Sequence, residues 1–347
     1  MKSSGNICKE DIHRILAVKP SSLGDIIHVF PALVVLKKIF PTAEIDFLVN
    51  PQFAGLLDYS PVQIRKKIIF ERKKLATLRG FVPETLKLIK TLRHEKYDLV
   101  IDFQGLFRSG MFSFLARARY GVCGYMNPRE QAAALFYRSQ ADCSSVHAVE
   151  RNVELLNKLF SVNYHVSDCD IPVKSGVCLP EGTPERYTVI LPGARWESKR
   201  FPVSLFSGIA SSLVRAGRKV VLAGSPDELD ICRRIIGECG NHPDISCCAG
   251  KTGMPELFEL IRHADAVVCN DSGPLHIASI MNKDIFCFFG PTLPEKTGPW
   301  NRRARVYRSG IACSGCLKRE CPLQETPCHG IDLKKVVNDM LNRELVS

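Results

Sequence analysis

Two short stretches of the chain place a carboxylate, a glycine and hydroxyl groups directly after an apolar run. Residues 14–19 lead into Pro20-Ser21-Ser22-Leu23-Gly24-Asp25, and residues 266–269 lead into Asn270-Asp271-Ser272-Gly273-Pro274. A helical pattern follows each turn. A strand, a turn and a helix in this order direct free backbone N–H groups and the positive end of a helix dipole at one point, which can hold a phosphate without a metal. Two such turns, one in each half, predict a substrate cleft between two α/β domains.

Apolar runs alternate with amphipathic segments along the chain, and this pattern is typical of parallel strands connected by helices. The predicted strands are 15–18, 45–49, 99–101, 187–191, 219–223, 266–269 and 285–289, and the predicted helices are 29–40, 204–216, 228–239, 255–263 and 333–345. The stretch 165–185 is rich in proline and glycine, which suits a linker. We therefore expect an N-terminal domain over 1–170, a second domain over 185–330 and a closing helix over 331–347.

The composition is that of an ordinary globular protein, with 347 residues, 45% of them hydrophobic and 24% charged. Residues 1–14 are too polar for a signal peptide, and no apolar run reaches the roughly 20 residues that span a bilayer. We therefore expect a cytoplasmic protein whose 15 cysteines are reduced thiols or metal ligands. The net charge of +11 favours an anionic partner. No nucleic-acid-binding motif accompanies that charge, so nucleic acid is not expected to be the partner.

Six motifs, in order along the chain, resemble those of bacterial lipopolysaccharide heptosyltransferases, glycosyltransferase family 9. They are Lys19-Pro20-Ser21-Ser22-Leu23-Gly24-Asp25, Asp102-Phe103-Gln104-Gly105 with Arg108-Ser109, His147-Ala148-Val149-Glu150-Arg151, Pro192-Gly193-Ala194-Arg195 with Lys199-Arg200-Phe201-Pro202, Asn270-Asp271-Ser272-Gly273-Pro274-Leu275-His276, and Phe289-Gly290-Pro291-Thr292. The resemblance covers nearly the whole chain. It implies the α/β GT-B architecture, in which two Rossmann-like, doubly wound domains face each other across a cleft and the C-terminal domain holds most of the nucleotide.

The resemblance also implies an activity, the transfer of heptose from ADP-heptose to the inner core of lipopolysaccharide. The implied enzyme is an inverting glycosyltransferase that needs no metal and no other cofactor. Asp25 matches the base that takes the proton of the acceptor hydroxyl. Helix capping is the alternative role for this aspartate. Lys199 matches the cation that neutralises the departing diphosphate, and its alternative is a solvated basic loop.

The donor site implied by the resemblance lies in the second half of the chain. Its residues are Arg195, Glu228, Met254, Asp271, Ser272, Gly273, Pro274 and His276. Ser272 and the N–H groups around Gly273 would hold the diphosphate, and Asp271 would face the donor sugar. Glu228 or its neighbour Asp227 would bind the ribose, as acidic residues do after a strand and a glycine turn. His276 suits a buried core position equally well, and Arg195 stands where heptosyltransferase I members carry a hydroxyl residue, which leaves the donor sugar open.

On the acceptor side, the resemblance points to Arg108, Arg129 and Arg151, each able to clamp an anionic group of the lipopolysaccharide core. A basic run, Arg65 to Lys67 and Arg72 to Lys74, could meet the same acceptor or an anionic bilayer. The alternative for this run is a solvated loop. We expect peripheral contact with the cytoplasmic face of the inner membrane.

Four cysteines near the C-terminus form the one motif that the predicted chemistry does not use. Cys313 and Cys316 have the spacing of a zinc knuckle pair, and Cys321 and Cys328 follow at intervals that fit no standard module. Structural zinc, an iron–sulfur cluster and free thiols are the alternatives. We expect a hairpin that stabilises the second domain, with no metal in the catalytic site.

Three other functions share part of this pattern. A related family member would use another nucleotide sugar or another acceptor. A sugar-nucleotide epimerase on the same architecture would need protein acid and base groups that act on a single sugar, and it would need no basic acceptor site. A nucleotide-sugar sensor would need no base at Asp25.

Overall fold

The computed structural model describes residues 9–71, 78–169, 171, 177–323 and 325–342. Contacts divide the chain into two compact units, Met1–Lys174 and Ser175–Ser347, which we call unit 1 and unit 2. Each unit contains one sheet of six parallel strands with helices beside it.

Unit 1 alternates strands with helices. Its strands are β1 Arg14–Val18, β2 Glu44–Val49, β3 Ile64–Ile69, β4 Leu99–Asp102, β5 Val122–Tyr125 and β6 Ser139–Ala141. Its helices are α1 Leu23–Ile27, α2 Phe30–Ile39, α3 Leu78–His94, α4 Phe107–Leu115 and α5 Ala148–Phe160. The helices α3 and α4 pack on one sheet face together with the 3-10 segment Gln131–Phe136, and α2 packs with α5 on the other face. The central strands are buried on both sides, which explains why β1 and β4 are continuous apolar runs.

Unit 2 repeats the plan. Its strands are β7 Thr188–Leu191, β8 Val220–Leu222, β9 Ile245–Cys247, β10 Ala266–Asn270, β11 Asp284–Phe289 and β12 Ala304–Arg308. Its helices are α6 Val203–Arg215, α7 Leu229–Glu238, α8 Met254–His263, α9 Gly273–Ile280, α10 Pro294–Thr297 and α11 Leu333–Leu341. The core on one sheet face is filled from α6, α7 and α11, and α8 packs with α9. The closing helix α11 thus belongs to the core of unit 2.

Both sheets have the same strand order. The order is β3-β2-β1-β4-β5-β6 in unit 1 and β12-β11-β10-β7-β8-β9 in unit 2. Counted within each unit, both orders are 3-2-1-4-5-6 and reverse direction between the first and fourth strands, which is the doubly wound arrangement. The predicted fold of two Rossmann-like domains is confirmed. Ligands of such sheets bind at the carboxyl ends of the strands where the order reverses, so β1 with β4 and β7 with β10 mark the places to examine.

The helices of the described ranges are all too short or too polar to cross a membrane.

Candidate functional site

Asp25 lies in the turn between β1 and α1, at the carboxyl end of β1. Its Oδ2 accepts hydrogen bonds from the backbone N–H of Ser22 at 3.0 Å and from the Ser22 hydroxyl at 3.1 Å. This is a capping arrangement, because the third residue of the helix binds the residue that precedes it. The Asp25 side chain is nevertheless 24% exposed, and both hydrogen bonds use one oxygen. Capping therefore leaves a carboxylate oxygen for chemistry.

Two cations determine the charge state of Asp25. Arg129 Nη1 lies 3.9 Å from Asp25 Oδ2, and the buried Lys19 donates from Nζ to the Phe103 carbonyl at 2.9 Å. Burial by itself would raise the pKa of Asp25, but the charges of Lys19 and Arg129 and the Ser22 N–H hold it below its ordinary value. Asp25 is thus ionised at neutral pH and able to accept a proton.

Asp25 faces a cavity of about 290 Å³ in unit 1. The lining includes Lys19, Asp25, His28, Phe103, Gln104, Tyr125, Asn127, Pro128, Arg129, Ala148, Arg151 and Asn152. Gln104, with its amide oriented to donate to the Ser21 carbonyl at 2.8 Å, presents its oxygen to Arg129 Nη1 at 3.2 Å. The cavity therefore combines one carboxylate with three cationic side chains.

A second set of contacts fixes the far wall of this cavity. Arg151 donates from Nη2 to the Asn127 carbonyl at 2.8 Å and lies 5.0 Å from the centre of the Tyr125 ring. Tyr125 donates to Asn152 at 2.6 Å, and Asn152 donates to the His28 carbonyl at 2.8 Å. The structure thus brings Arg129 and Arg151 to the same cavity as Asp25.

Arg108 lies elsewhere. It is exposed in the first turn of α4 and is not among the residues that line the Asp25 cavity. Its motif has a structural role, because the buried Asp102 accepts from the Ser109 and Tyr137 hydroxyls and from the Gln104 N–H, each at 2.8 Å. Asp102 therefore holds the loop that carries Gln104 beside Arg129.

The basic run is not a loop in its first half. Arg65, Lys66 and Lys67 lie on β3, the edge strand of the unit 1 sheet. Arg65 pairs with Asp46 and with Glu95, Lys66 lies 2.5 Å from Glu95, and Lys67 lies 2.6 Å from Asp58. These three residues therefore lie on a strand and not in a loop, with a carboxylate beside each, and their predicted contact with the acceptor or a bilayer stays a prediction. Arg72 to Lys74 lie outside the described residues.

In unit 2, Lys199 and Asp271 meet. Lys199 follows β7 and Asp271 follows β10, the two strands at which the order reverses. Lys199 Nζ lies 2.6 Å from Asp271 Oδ2, which also accepts from the Thr292 hydroxyl at 2.6 Å. The Lys199 ammonium lies 4.7 Å from the centre of the Trp196 ring. The pair is largely buried, so Lys199 is held in place by Asp271, Thr292 and Trp196 and is not a solvated basic side chain.

The N-terminus of α9 lies directly after this pair. Ser272 occupies the N-cap position without a side-chain capping hydrogen bond, Gly273 and Pro274 lie in the first turn, and His276 is buried in the second. The buried Ser272 hydroxyl oxygen has no hydrogen-bond partner among the described residues. A buried hydroxyl with no protein partner at a helix N-terminus is available to bind a ligand, and an anion suits that place because the helix dipole is positive there.

Glu228 lies where the turns after β7 and β8 approach each other. A Cβ atom at Gly193 would collide with the Glu228 carboxylate, and one at Gly224 would lie 2.8 Å from Glu228 Oε2. Glu228 also accepts from the Ser225 N–H at 2.8 Å. Glycine is required at both turns so that this carboxylate can lie at the carboxyl ends of the strands, where a ribose hydroxyl would reach it.

Two predicted donor-site residues remain. Met254 is the first residue of α8 and is half-buried, and Arg195 is exposed in the loop after β7. The neighbouring Arg200 donates to the Ala194 carbonyl at 2.7 Å and so fixes that loop. Both predictions remain predictions.

The cysteine segment packs against the loops of the unit 2 site. Ser198, next to Lys199, donates from its hydroxyl to the Lys318 carbonyl at 2.7 Å, and its own carbonyl lies 2.8 Å from His329 Nε2. The Leu317 N–H donates to the Pro291 carbonyl at 2.7 Å, next to Thr292. These contacts join the segment to the loops of Lys199 and Thr292, and its expected role in stabilising the second domain stays a prediction.

The four cysteines do not form a ready metal site. In the described ranges, no group of three or more histidine, cysteine, aspartate or glutamate side chains is arranged to hold a metal ion. Cys313 and Cys316 are exposed, whereas Cys328 is buried under Gly290. Burial raises the pKa of Cys328, and the nearby Cys313, Cys321 and Cys316 raise it further, so its thiol is protonated. The described residues as arranged do not fit a zinc ion.

Several residues at the two sites could not be singled out from the sequence. Lys19 and Gln104 stand within recognised motifs but carried no assigned role, and Asn152 directly follows one. Thr292 ends a recognised motif, and Trp196 lies between the two parts of another. The sequence shows only that these residues lie inside or beside a motif. It does not show which of their side chains line the same cavity.

Residues 85–326 match the model of glycosyltransferase family 9 (heptosyltransferase). The chain belongs to this family. It is therefore a glycosyltransferase, and its two units have the GT-B type of fold. It is 30% identical over 322 residues to lipopolysaccharide heptosyltransferase 1 of Pseudomonas aeruginosa, covering 90% of this chain and 88% of the relative.

Other relatives extend the comparison. The chain is 29% identical over 299 residues to lipopolysaccharide heptosyltransferase 3 of Escherichia coli, covering 83% of this chain and 86% of the relative. Among solved structures, E. coli heptosyltransferase WaaC with ADP-2-deoxy-2-fluoro heptose superposes with a TM-score of 0.72 at 23% identity, covering 94% of this chain and 99% of that one. Since types 1 and 3 match at nearly equal identity, membership in the family does not by itself select an acceptor position.

Proposed function

We propose that this glycosyltransferase transfers heptose from ADP-heptose to the inner core of lipopolysaccharide, with inversion at the anomeric carbon and without a metal ion. The observation that carries the proposal is Asp25, an ionised carboxylate in a cavity of about 290 Å³ that Arg129 and Arg151 also line. The names of the relatives support heptose as the sugar and lipopolysaccharide as the acceptor. The structure of WaaC with an ADP-heptose analogue supports ADP as the nucleotide of the donor.

The acceptor half of the reaction uses unit 1. Asp25 takes the proton of an acceptor hydroxyl as that oxygen forms its bond to the anomeric carbon of the donor. Attack on the face opposite the diphosphate inverts the anomeric configuration. Arg129 and Arg151 bind phosphate or carboxylate groups of the acceptor, because guanidinium groups bind such oxyanions bidentately. The proton resides on Asp25 at the end of the step.

The leaving-group half uses unit 2. As the bond between the anomeric carbon and the diphosphate oxygen breaks, negative charge grows on the departing ADP. The Lys199 ammonium and the N-terminus of α9, with the Ser272 hydroxyl, stabilise that charge. Asp271 and Thr292 position Lys199, and Glu228 accepts hydrogen bonds from the ribose. These groups perform the task that a divalent cation performs in metal-dependent transferases.

The test uses purified protein, a panel of nucleotide sugars and lipopolysaccharides truncated at successive inner-core positions. We expect transfer from ADP-heptose that exceeds transfer from ADP-glucose or UDP-sugars at least 100-fold, and a product whose anomeric configuration by NMR is opposite to that of the donor. Activity should survive excess EDTA. Retention of configuration, or loss of activity with EDTA that Mg²⁺ restores, would overturn the mechanism. Preference for another donor would assign the chain to a different specificity within its family.

A further inference from the structure

One face of unit 1 exposes an unusual number of large apolar side chains. This face is formed by α3, α4 and the 3-10 segment Gln131–Phe136. Leu86 is 60% exposed, Phe114 58% and Leu135 83%, and Val82 and Phe107 are also exposed. We call these five residues, Val82, Leu86, Phe107, Phe114 and Leu135, the apolar face. A contiguous exposed apolar surface on a folded protein usually marks a binding site for a protein or a membrane.

Aromatic contacts and a hydrogen bond hold the apolar face together. The ring of Phe136 lies 5.3 Å from that of Phe107 and 6.0 Å from that of Phe114, measured between ring centres. Arg93 on α3 donates from Nε to the Leu115 carbonyl at the end of α4, at 3.2 Å. The three segments therefore form one surface layer on the sheet.

The charge of this layer is positive. The helices α3 and α4 carry one carboxylate, Glu84, against five basic residues, Arg79, Lys87, Lys90, Arg93 and Arg108. Lys87, Lys90 and Arg108 are exposed. Exposed aromatic and aliphatic residues beside lysine and arginine are typical of helices that lie in the interface of an anionic membrane. Protein interfaces, in contrast, are depleted in lysine.

The apolar face begins at the edge of the Asp25 cavity. The Phe107 N–H donates to the Glu130 carboxylate at 2.6 Å, and the Glu130 N–H donates to the Gly105 carbonyl at 2.9 Å. Arg129, which lines the cavity, immediately precedes Glu130. A bilayer in contact with Phe107 would therefore lie next to the arginines that bind the acceptor.

We propose that the apolar face docks unit 1 on an anionic lipid bilayer. The choice of a bilayer rests on the proposed function, since the acceptor of a lipopolysaccharide heptosyltransferase is itself anchored in a membrane by lipid. Phe107, Phe114, Leu135, Leu86 and Val82 enter the headgroup region, while Lys87 and Lys90 contact anionic headgroups. Docking holds the Asp25 cavity at the depth of the acceptor's sugar and phosphate groups.

The first test measures binding of the full chain to vesicles of phosphatidylethanolamine with 30% phosphatidylglycerol by sedimentation. Leu86→Gln/Phe114→Gln/Leu135→Gln should weaken binding at least 10-fold, because each change removes apolar surface from the interface. Lys87→Gln/Lys90→Gln should weaken it about fivefold per lysine at low salt, and less at 0.5 M salt. The matched control, Val146→Gln/Leu317→Gln/Leu323→Gln, removes three exposed apolar residues elsewhere and should bind like the wild type. Circular dichroism and thermal melting establish that each variant folds.

Three outcomes of this test would overturn the proposal. The wild type could fail to bind the anionic vesicles, the apolar-face variant could bind like the wild type, or the control variant could lose binding equally. The fourth outcome concerns the oligomeric state. If the wild type sediments as a dimer, and the apolar-face variant is a monomer that binds vesicles with unchanged affinity, the face binds a second copy of the chain. That result would also overturn the proposal.

The second test separates docking from catalysis. With a soluble, deacylated acceptor, the apolar-face variant should transfer heptose at the wild-type rate. With the acyl-chain-bearing acceptor in vesicles, its rate at limiting acceptor should fall at least 10-fold. Equal losses with both acceptors would overturn the docking role. If the wild type transfers nothing to either acceptor, the proposed function fails, while the vesicle-binding result still decides the docking surface.

Discussion

In unit 1, the turn after the first strand presents a carboxylate, Asp25, whereas in unit 2 the loop after the first strand presents a cation, Lys199. The two sheets have the same strand order, so both residues lie at carboxyl ends where that order reverses. Asp25 has Lys19 and Arg129 near it, while Lys199 has one carboxylate, Asp271, at 2.6 Å. The fold determines where a ligand binds, and the side chains at that place determine the chemistry.

The difference has a consequence for substrate charge. In unit 1, the cations outnumber the carboxylate, so the cavity keeps Asp25 ionised and favours an anionic ligand, which the proposed acceptor would be. In unit 2, Lys199 and Asp271 neutralise each other, so the proposed binding of a diphosphate would rely on the N-terminus of α9 and the Ser272 hydroxyl as well as on the lysine. The two aspartates should therefore respond differently to the same substitution.

The largest expected effect separates these two aspartates. Asp25→Asn should lower kcat by 10²- to 10⁴-fold, because the amide keeps the shape but cannot accept the acceptor proton. ADP affinity should be unchanged in this variant. Asp271→Asn should instead weaken ADP binding, because Lys199 loses the carboxylate that positions it. Steady-state kinetics and calorimetry with ADP measure the two effects. Near-wild-type turnover in Asp25→Asn, or equal loss of ADP affinity in both variants, would contradict the division between the units.

The next largest effect concerns the cation itself. Lys199→Ala should weaken ADP binding by about 10- to 150-fold, the range of a charge-assisted hydrogen bond worth roughly 1.5–3 kcal/mol. Ser272→Ala should weaken it less, because a neutral hydroxyl contributes about 1 kcal/mol. Lys296→Ala removes an exposed lysine of α10 and serves as the matched control. Calorimetry that finds the same affinity in Lys199→Ala and Lys296→Ala would place the diphosphate away from Lys199.

The sequence was sufficient for the central strands and insufficient for the edges of the sheets. The strands β1, β4, β7 and β10 are apolar on both faces and could be recognised as continuous runs. The edge strand β3 could not, because three consecutive basic residues conceal its alternation. Its charges are compensated by Asp46, Glu95 and Asp58, which lie up to 30 residues away in sequence. Partners so distant cannot be identified from local pattern.

The same limit applies to the candidate site. The motifs predicted Asp25, Lys199 and Asp271 as site residues, because each follows a strand at a recognisable turn. The ion pair between Lys199 and Asp271 could not be predicted, since 72 residues separate them and only the neighbouring positions of β7 and β10 bring them together. Arg108 shows the reverse case, in which a residue within a motif lies outside the Asp25 cavity.

A smaller effect tests the electrostatics of unit 1 through pH. The Arg129 charge helps to hold the pKa of Asp25 below its ordinary value, so Arg129→Gln should raise that pKa. The ionised carboxylate is the active base, and a raised pKa means that activity is lost at a higher pH on acidification. Because Arg129 is 59% exposed, solvent screening limits the effect, and we expect a small shift of the acid limb while Asp25 stays ionised at pH 7.

The measurement for this variant is kcat/KM against pH with a soluble acceptor, with folding checked by circular dichroism at each pH. Arg108→Gln is the comparison, since Arg108 does not line the cavity and its removal should leave the acid limb in place. An acid limb that moves equally in both variants, or in neither, would show that Arg129 does not control the charge of Asp25.

The smallest effects concern the segment that supports the unit 2 loops. His329 stacks on Phe201 with ring centres 4.2 Å apart, and burial lowers its pKa, so the neutral ring donates from Nε2 to the Ser198 carbonyl. His329→Ala should lower stability by about 1–2 kcal/mol and ADP affinity by no more than about threefold, because the loop of Lys199 loses one of its contacts. Each kcal/mol corresponds to about 2–4 °C in Tm for a unit of this size.

Cys313→Ser/Cys316→Ser is the matched comparison for His329→Ala within the same segment. Both thiols are exposed, and replacing an exposed side chain by one of similar size usually changes stability by less than about 0.5 kcal/mol. We therefore expect a smaller fall in Tm than in His329→Ala and unchanged ADP affinity. Elemental analysis of reduced wild-type protein accompanies the melting experiments. Two results together would contradict this expectation: metal bound to the wild type but not to the cysteine variant, and a fall in Tm larger than that of His329→Ala. They would show that thiolate ligation, and not the histidine, holds the segment against the Lys199 loop, because metal binding at such a site is coupled to local folding.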